Sequence, residues 1–176
     1  MSIITKELIS KINAQYILAL NGIHGISHWA RVLENGEKLA ELNNANLYVV
    51  QLFAVFHDAK RINDGRDPDH GRRGAEFAYS LNGRLFKLSN KDFELLYIAC
   101  SYHADGLVDG DITVQTCWDS DRLDLGRIGI KPELRYLCTD AAKNPQIIDW
   151  ANERSVKRLV PRFVEDEWDL NLNLLE

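Results

Sequence analysis

A stretch of almost unbroken apolar sequence ends directly in a histidine and an aspartate. Residues 47–56 read LYVVQLFAVF, with one polar residue among them, and His57 and Asp58 follow at once. Such a run has to be buried, so the chain must supply other elements to surround it. An unpaired carboxylate at its end would be costly to bury, so a metal ion or a cation must compensate Asp58. Lys60 and Arg61 are the simplest candidates for that cation.

The rest of the chain shows mainly helical periodicity. The run from Leu47 to His57 is interpreted as a buried helix, although a buried strand has the same apolar pattern. Apolar spacing and capping residues predict further helices at 5–20, 27–42, 71–81, 89–103, 112–125 and 147–159. Loops or short elements are predicted between them, at 43–46, 63–69, 82–83, 104–111 and 126–139. We therefore predict an all-α fold, a single-domain helical bundle that spans residues 1–176.

Composition excludes several classes of protein. The net charge of −5 argues against a general nucleic-acid-binding surface, which is basic. No stretch reaches the roughly 18 apolar residues of a membrane span, and the first residues lack the pattern of a signal peptide. The cysteines are odd in number and form no CxxC pair, so a thiolate zinc site or a disulfide framework is not expected. A cytoplasmic protein is the simplest interpretation.

Histidines and aspartates recur at the predicted helix ends. Four of the five histidines stand there, namely His28, His57, His70 and His103. Asp58 follows one of them, and a later acidic cluster contains Asp119, Asp121 and Asp124. Imidazole and carboxylate together suit Mn, Fe, Co, Ni or Zn better than Ca or Mg alone. The alternative for any single histidine is a core or surface residue with an ordinary hydrogen-bond partner.

The order of these motifs resembles the HD-domain superfamily of metal-dependent phosphohydrolases. The matching pieces are the histidine of HGISHWARV, the doublet of FAVFHDAKR and the aspartate of DSDRLDLG, which are His28, His57–Asp58 and Asp121. The resemblance covers about residues 23–130. It implies a bundle of helices around a metal site, with these residues as metal ligands.

Two further histidines resemble the ligands of the HD subgroup that holds two metal ions. His70 begins HGRRGAEFA and His103 lies in IACSYHADG. The resemblance implies one ion on His28, His57, Asp58 and Asp121, and a second on His70, His103 and a bridging Asp58. The cofactors expected are therefore two divalent transition-metal ions, Mn, Fe, Co, Ni or Zn, which can share a bridging hydroxide. A surface role stays open for His70, whose loop could be mobile.

Other polar residues near these ligands are candidates for supporting roles. His24 lies four residues before His28, and we favour a role in orienting a ligand over direct metal binding. Asp119 and Asp124 could orient histidines in the same way. Asp64 could donate a proton to the leaving oxygen. Asp58, Lys60 and Asp64 are the predicted catalytic residues.

Basic residues cluster around the same motifs, which suggests an anion site in an acidic protein. The predicted substrate-binding residues are Arg31, Lys60, Arg61, Arg72, Arg73 and Arg122. Arg31 and Lys60 are the strongest phosphate candidates among them. The alternative is a solvated helix face whose arginines pair with neighbouring aspartates and glutamates.

The function expected from the resemblance is hydrolysis of a nucleotide or other small phosphate ester by a metal-bound hydroxide. An HD-type di-iron oxygenase that cleaves a C–C or C–P bond is the first alternative, since imidazole and carboxylate also hold iron. A catalytically inactive binding module is the second. Trp150, Trp168 and the C-terminal apolar residues could close the core or form a homodimer patch, and the core is favoured.

Overall fold

The apolar run forms a helix at the centre of the protein. The computed structural model describes residues 2–172, and in it the helix α3 spans Leu47–Phe56. The side chain of Asn46 accepts hydrogen bonds from the first turn of α3, and every residue from Val49 to Phe56 is buried. A helix enclosed on all sides needs no polar face, which explains why periodicity alone could not separate helix from strand. The helical interpretation is confirmed.

Helices make up the remaining regular structure. Before α3 lie α1, Lys6–Asn13, and α2, Ile26–Asn43; after it come α4, His70–Leu81, α5, Asn90–Tyr102, and α6, Ile112–Arg122. Two 3-10 turns, Leu125–Ile128 and Leu134–Tyr136, lead to α7, Asp140–Lys143, α8, Pro145–Val156, and α9, Phe163–Asp166. Within residues 2–172 the only β pairing is an isolated bridge between Asn82 and Phe86. The prediction of an all-α fold is confirmed, and no helix in this range is long and apolar enough to cross a membrane.

Several helix ends differ from the predicted ones. α1 stops at Asn13 instead of continuing to residue 20, and an irregular segment leads to α2. α2 starts one residue before the predicted cap Ser27, with Gly25 as its N-cap. α6 ends at Arg122, because the chain tightens into a 3-10 turn directly afterwards. α8 starts at Pro145, where Asn144 caps the helix and the missing proline N–H is harmless.

Two glycines allow α4 to lie against the ends of α3 and α5. A Cβ on Gly71 would lie 2.0 Å from the carbonyl oxygen of Cys100 in α5. A Cβ on Gly74 would lie 2.2 Å from the carbonyl oxygen of Phe56 in α3. Any larger residue would therefore push the helices apart. This close approach brings the start of α4 next to the C-terminal ends of α3 and α5, where the predicted ligands are.

The core has two apolar clusters. The larger one surrounds α3 and includes Trp168, which is 3% exposed, so the interpretation of this tryptophan as a core residue is confirmed. The smaller one joins Leu39 of α2 to Leu123 and to residues of α7 and α8. Trp150 is partly buried against it, with the ammonium of Lys38 4.9 Å from its ring centroid. The single-domain organisation of the whole chain stays a prediction, and residues 173–176 lie outside the described range.

Candidate metal centre

Side chains from five helices converge at one end of α3. His28 comes from the first turn of α2, Asp121 from the last turn of α6, and the doublet His57–Asp58 directly follows α3. The other two residues are His70, which begins α4, and His103, which directly follows α5. All four histidines and Asp58 are buried, and the side chain of Asp121 is 16% exposed. The structure therefore brings together the six residues predicted as metal ligands.

One half of the cluster has the spacing of ligands around a single ion. The Nε2 atoms of His28 and His57 are 3.1 Å apart. Asp121 Oδ1 lies 3.4 Å from the first of these nitrogens and 3.8 Å from the second. Ligands about 2.1 Å from a tetrahedral zinc ion are separated by about 3.4 Å. The three atoms are thus placed to share one metal ion.

The other half of the cluster has similar spacing. The Nε2 atoms of His70 and His103 are 2.9 Å apart. Asp58 Oδ1 lies 3.1 Å from the first and 3.7 Å from the second. A group made of His57, Asp58 and His103 also satisfies the spacing of metal ligands, so the two halves are contiguous.

The two carboxylate oxygens of Asp58 face different halves of the cluster. Oδ1 faces His70 and His103, whereas Oδ2 lies 3.6 Å from His28 Nε2 and 3.7 Å from His57 Nε2. A carboxylate in this orientation can give one oxygen to each of two ions. The bridging role implied for Asp58 is compatible with this geometry.

The histidine ring nitrogens show that the cluster consists of acceptors. Each of the four rings points Nδ1 at a protein oxygen: Asp124 Oδ2 for His28, Phe53 O for His57, Asp67 O for His70 and Cys100 O for His103. A neutral imidazole that donates through Nδ1 carries its lone pair on Nε2. Four Nε2 lone pairs and two carboxylates therefore face one another. A cation at the centre would stabilise such an arrangement.

One buried carboxylate oxygen supports the same conclusion. Oδ1 of Asp121 is buried and accepts no hydrogen bond from residues 2–172. It points at the nitrogens of His28 and His57, which have no N–H on that side when they are neutral. A buried acceptor without a donor is costly in a folded protein, and a bound metal ion would satisfy it. The residues present therefore fit a transition-metal site.

For His28, His57 and Asp58 the environment favours the protonation states that bind metal ions, whereas the hydrogen bond and charge of Asp58 outweigh burial and raise the pKa of His103. Burial lowers the pKa of His57 to about 3, against the opposing effect of Asp58 and Asp121. Burial also lowers the pKa of His28. Burial alone would raise the pKa of Asp58, but the charge of His57 and hydrogen bonds from other histidines hold it well below its usual range. Neutral imidazoles and ionised carboxylates are the forms that act as ligands.

Two further residues hold Asp58 from either side. Nδ1 of His24 donates to Oδ2 of Asp58 at 2.8 Å. Nη1 of Arg61 lies 3.3 Å from Oδ1 and only 3.1 Å from Nε2 of His70. The contact of His24 agrees with the expected role of orienting a ligand. Arg61 partly neutralises Asp58, and its charge lies next to a nitrogen that would bind the second ion.

The contacts of Arg31 contradict the prediction that this residue binds phosphate. The Arg31 guanidinium is buried and chelates Asp124, with Nε 2.6 Å from Oδ1 and Nη2 3.0 Å from Oδ2. Asp124 in turn accepts from Nδ1 of His28 at 2.7 Å. Arg31 therefore acts on the metal cluster through Asp124 and His28, and does not reach the cavity. The expected orienting role of Asp124 agrees with this hydrogen bond.

Five other predicted residues also lie away from the cluster. Lys60 places its ammonium 5.2 Å from the ring centroid of Phe77, and Asp64 is exposed and does not line the cavity beside the cluster. Arg72 is exposed and pairs with Asp69 and Glu76, and Arg73 chelates Asp67. Asp119 accepts from the backbone N–H groups of Cys138 and Thr139 instead of orienting a histidine. None of these five residues lines the cavity beside the cluster.

A cavity of about 370 Å³ opens beside the cluster. Its inner part is lined by Asp58, Asp121, His24, His70, His103 and Arg61. Three more basic residues line it, Arg122, Arg127 and Lys131, and its outer wall includes Leu125, Ile130, Pro132 and Tyr136. The sequence predicted Arg122 as part of this site, but it did not predict Arg127 or the wall residues Ile130, Pro132 and Tyr136. The signal that could have found them is their place directly after the ligand-bearing helix α6.

Comparison with known proteins relates the fold of this chain to that of a solved structure. No protein-family model matches the sequence, and no curated protein matches it. The chain is similar to a predicted HD superfamily hydrolase from an uncultured Thermotogales bacterium, whose crystal structure was determined at 1.45 Å resolution. The two share 24% sequence identity with a TM-score of 0.64, over 92% of this chain and 91% of that chain. The likeness shows that this chain has the HD-domain fold.

Proposed function

We propose that this chain, which has the helical fold of the HD-domain superfamily, is a metal-dependent phosphohydrolase that acts on a nucleotide or another small phosphate ester. The observation that carries the proposal is the buried cluster of four imidazole nitrogens and two carboxylates at the end of a basic cavity. The description of the similar structure as a predicted hydrolase supports the same class of reaction.

Two groups of residues would hold the metal ions. His28, His57, Asp121 and Oδ2 of Asp58 form the first, and His70, His103 and Oδ1 of Asp58 form the second. Divalent ions bound there would supply Lewis acidity toward a phosphoryl group and lower the pKa of a coordinated water molecule. The first group has more protein ligands than the second, so we expect it to bind its ion more tightly.

The protein side chains prepare the cavity for an anionic substrate. Four cationic side chains and three carboxylates line the cavity, namely Arg61, Arg122, Arg127 and Lys131 with Asp58, Asp121 and Glu133. Metal ions would add to this excess of positive charge, so a phosphate group would be attracted strongly. The apolar outer wall could cover the organic part of the ester. Lys60 and Asp64 are not proposed as catalytic residues, because both lie outside this cavity.

The first experiment is to measure the metal content of the protein purified without chelator. Wild type should contain close to two transition-metal ions per chain, and Asp58→Ala should lose most of both because it removes the shared carboxylate. Asp69→Ala is the matched control, since Asp69 is an exposed aspartate that pairs only weakly with Arg72. Metal-loaded wild type should then release phosphate from nucleotides or simple phosphate esters, and Asp58→Ala should not.

The other outcomes separate the remaining hypotheses. A protein that contains mostly iron, consumes oxygen and releases no phosphate would support the di-iron oxygenase. A protein that binds no transition metal, even after Mn or Fe is added, would contradict both enzymes and leave a binding module. A cytoplasmic location and homodimer formation stay predictions.

A further inference from the structure

Arg127 is a buried arginine beside the metal cluster that no motif predicted. It lies in the first 3-10 turn after α6, is 8% exposed and lines the cavity. Its Nη1 lies 3.9 Å from Oδ2 of Asp124, and the same oxygen accepts a hydrogen bond from Nδ1 of His28 at 2.7 Å. The guanidinium is therefore close to the place where the first ion would bind.

The hydrogen bonds of Arg127 fix one side of the guanidinium and leave the other side available. Nε donates to the carbonyl oxygen of Ile23 at 2.9 Å, and Nη1 donates to the carbonyl oxygen of Asp124 at 2.9 Å. Within residues 2–172, Nη2 donates no hydrogen bond. A guanidinium held by two main-chain carbonyls is preorganised, so little entropy is lost when it binds a ligand.

Arg127 shares its carboxylate neighbours, Asp124 and Asp121, with other groups of the site. The nearest is Asp124, whose Oδ2 is 3.9 Å from Nη1. That carboxylate is already chelated by Arg31 and hydrogen-bonded to His28. A buried guanidinium that shares its counter-ion with other cations is stabilised further when an anion binds beside it.

We propose that Arg127 binds a phosphate group next to the metal centre and is a substrate-binding residue of the phosphohydrolase. This inference rests on the proposed function and assigns its anion site. Arg122 lines the same cavity, but its two terminal nitrogens each donate to a main-chain carbonyl at 2.6 Å, those of Tyr136 and Leu107. Arg122 therefore mainly holds the cavity wall, whereas Arg127 presents a nitrogen to the ligand.

Inorganic phosphate is the probe that tests this assignment. Its affinity for the metal-loaded protein is measured by calorimetry for wild type, Arg127→Gln, Arg127→Lys and the control Arg135→Gln. Arg135 is exposed, lies on the neighbouring segment and does not line the cavity, so its loss removes the same charge elsewhere. We expect Arg127→Gln to weaken phosphate binding about 10- to 100-fold, as for the loss of a charge-assisted hydrogen bond. Arg127→Lys should lose less phosphate affinity than Arg127→Gln, and Arg135→Gln should bind phosphate as tightly as wild type.

Metal content and melting temperature distinguish ligand binding from a structural role. If Arg127→Gln keeps its metal ions and its fold but loses phosphate affinity, the proposal is supported. It is overturned if Arg127→Gln binds phosphate like wild type, if metal content falls in parallel with phosphate affinity in both Arg127 variants, or if wild type binds no phosphate. Phosphate binding does not require turnover, so a protein that binds phosphate through Arg127 yet hydrolyses no ester would contradict only the proposed function.

Discussion

Nδ1 of His24 lies 2.8 Å from Oδ2 of Asp58, on the side of the carboxylate that faces His28 and His57. His24 comes from the irregular segment before α2, and its side chain is 11% exposed. The contact orients the one carboxylate that both halves of the cluster share. A loop residue therefore fixes the orientation of the carboxylate that would be shared by the two proposed ions.

Replacement of His24 should weaken metal binding without removing a ligand. We expect His24→Ala to lower metal affinity about 10- to 100-fold, because Asp58 loses the hydrogen bond that orients it. His24→Asn can place an amide N–H close to the position of Nδ1 and should recover part of the loss. Competition with a chromophoric chelator measures both affinities. Equal affinities for wild type and His24→Ala would show that the contact is incidental.

Removal of the Arg61 charge should strengthen binding of the second ion. The guanidinium lies 3.1 Å from Nε2 of His70, so it repels a cation that approaches the same nitrogen. We expect Arg61→Gln to tighten the weaker site at least about tenfold, as measured by metal titration. Arg73→Gln is the control, because it loosens the same loop through Asp67 but lies outside the cluster. If Arg61→Gln loses the second ion and Arg73→Gln keeps it, Arg61 organises the site instead of opposing the ion.

The ion pair of Arg31 and Asp124 should be important for stability. Arg31→Met would leave a buried carboxylate with His28 as its remaining side-chain donor, and loss of one partner of a buried pair costs about 3–5 kcal/mol. Lys131→Met breaks an exposed pair with Asp149 and should cost about 0–1 kcal/mol. Urea unfolding of the two variants measures both costs. Similar small losses would mean that solvent reaches Asp124 when Arg31 is absent.

Metal-free protein should lose stability as the pH falls below 6.5. His57 has a pKa of about 3 in the folded protein against 6.5 when unfolded, so between these values the unfolded chain binds more protons. The free energy of unfolding then falls toward low pH by about 1.4 kcal/mol per pH unit for this residue, and His28 acts in the same direction. The pKa of His103 is raised in the folded protein, so this residue makes its full contribution to stability below pH 6.5. That contribution is lost as the pH rises above 6.5.

Urea unfolding of chelator-treated protein between pH 4 and 8 measures this dependence. From the contributions of these three histidines, wild type should be most stable near pH 6.5. The free energy of unfolding of His57→Gln should fall less steeply toward low pH. A wild-type profile that is flat from pH 4 to 6.5 would contradict the burial of neutral imidazoles in the folded protein.

Local sequence was sufficient for most of the fold and for the types of metal ligand. Apolar spacing and capping residues such as Thr5 and Ser89 predicted where helices begin, because these signals act within a few residues. The end of α1 at Asn13 could not be predicted in this way, because the apolar pattern continues into a segment that tertiary packing holds in an irregular form. Short helices obtain most of their stability from such packing.

Only the tertiary structure decided which arginines face the cavity. Arg31 and Asp124 are 93 residues apart in the chain, and Arg127 donates to a carbonyl 104 residues away. A long guanidinium side chain turns to whichever acceptor the fold places nearest, so its neighbours in sequence do not reveal its direction. Histidines and carboxylates at helix ends could be recognised as candidate ligands from the sequence, since short side chains follow the backbone. The arginines that line the cavity depend on distant partners, so they could be recognised only in the folded chain.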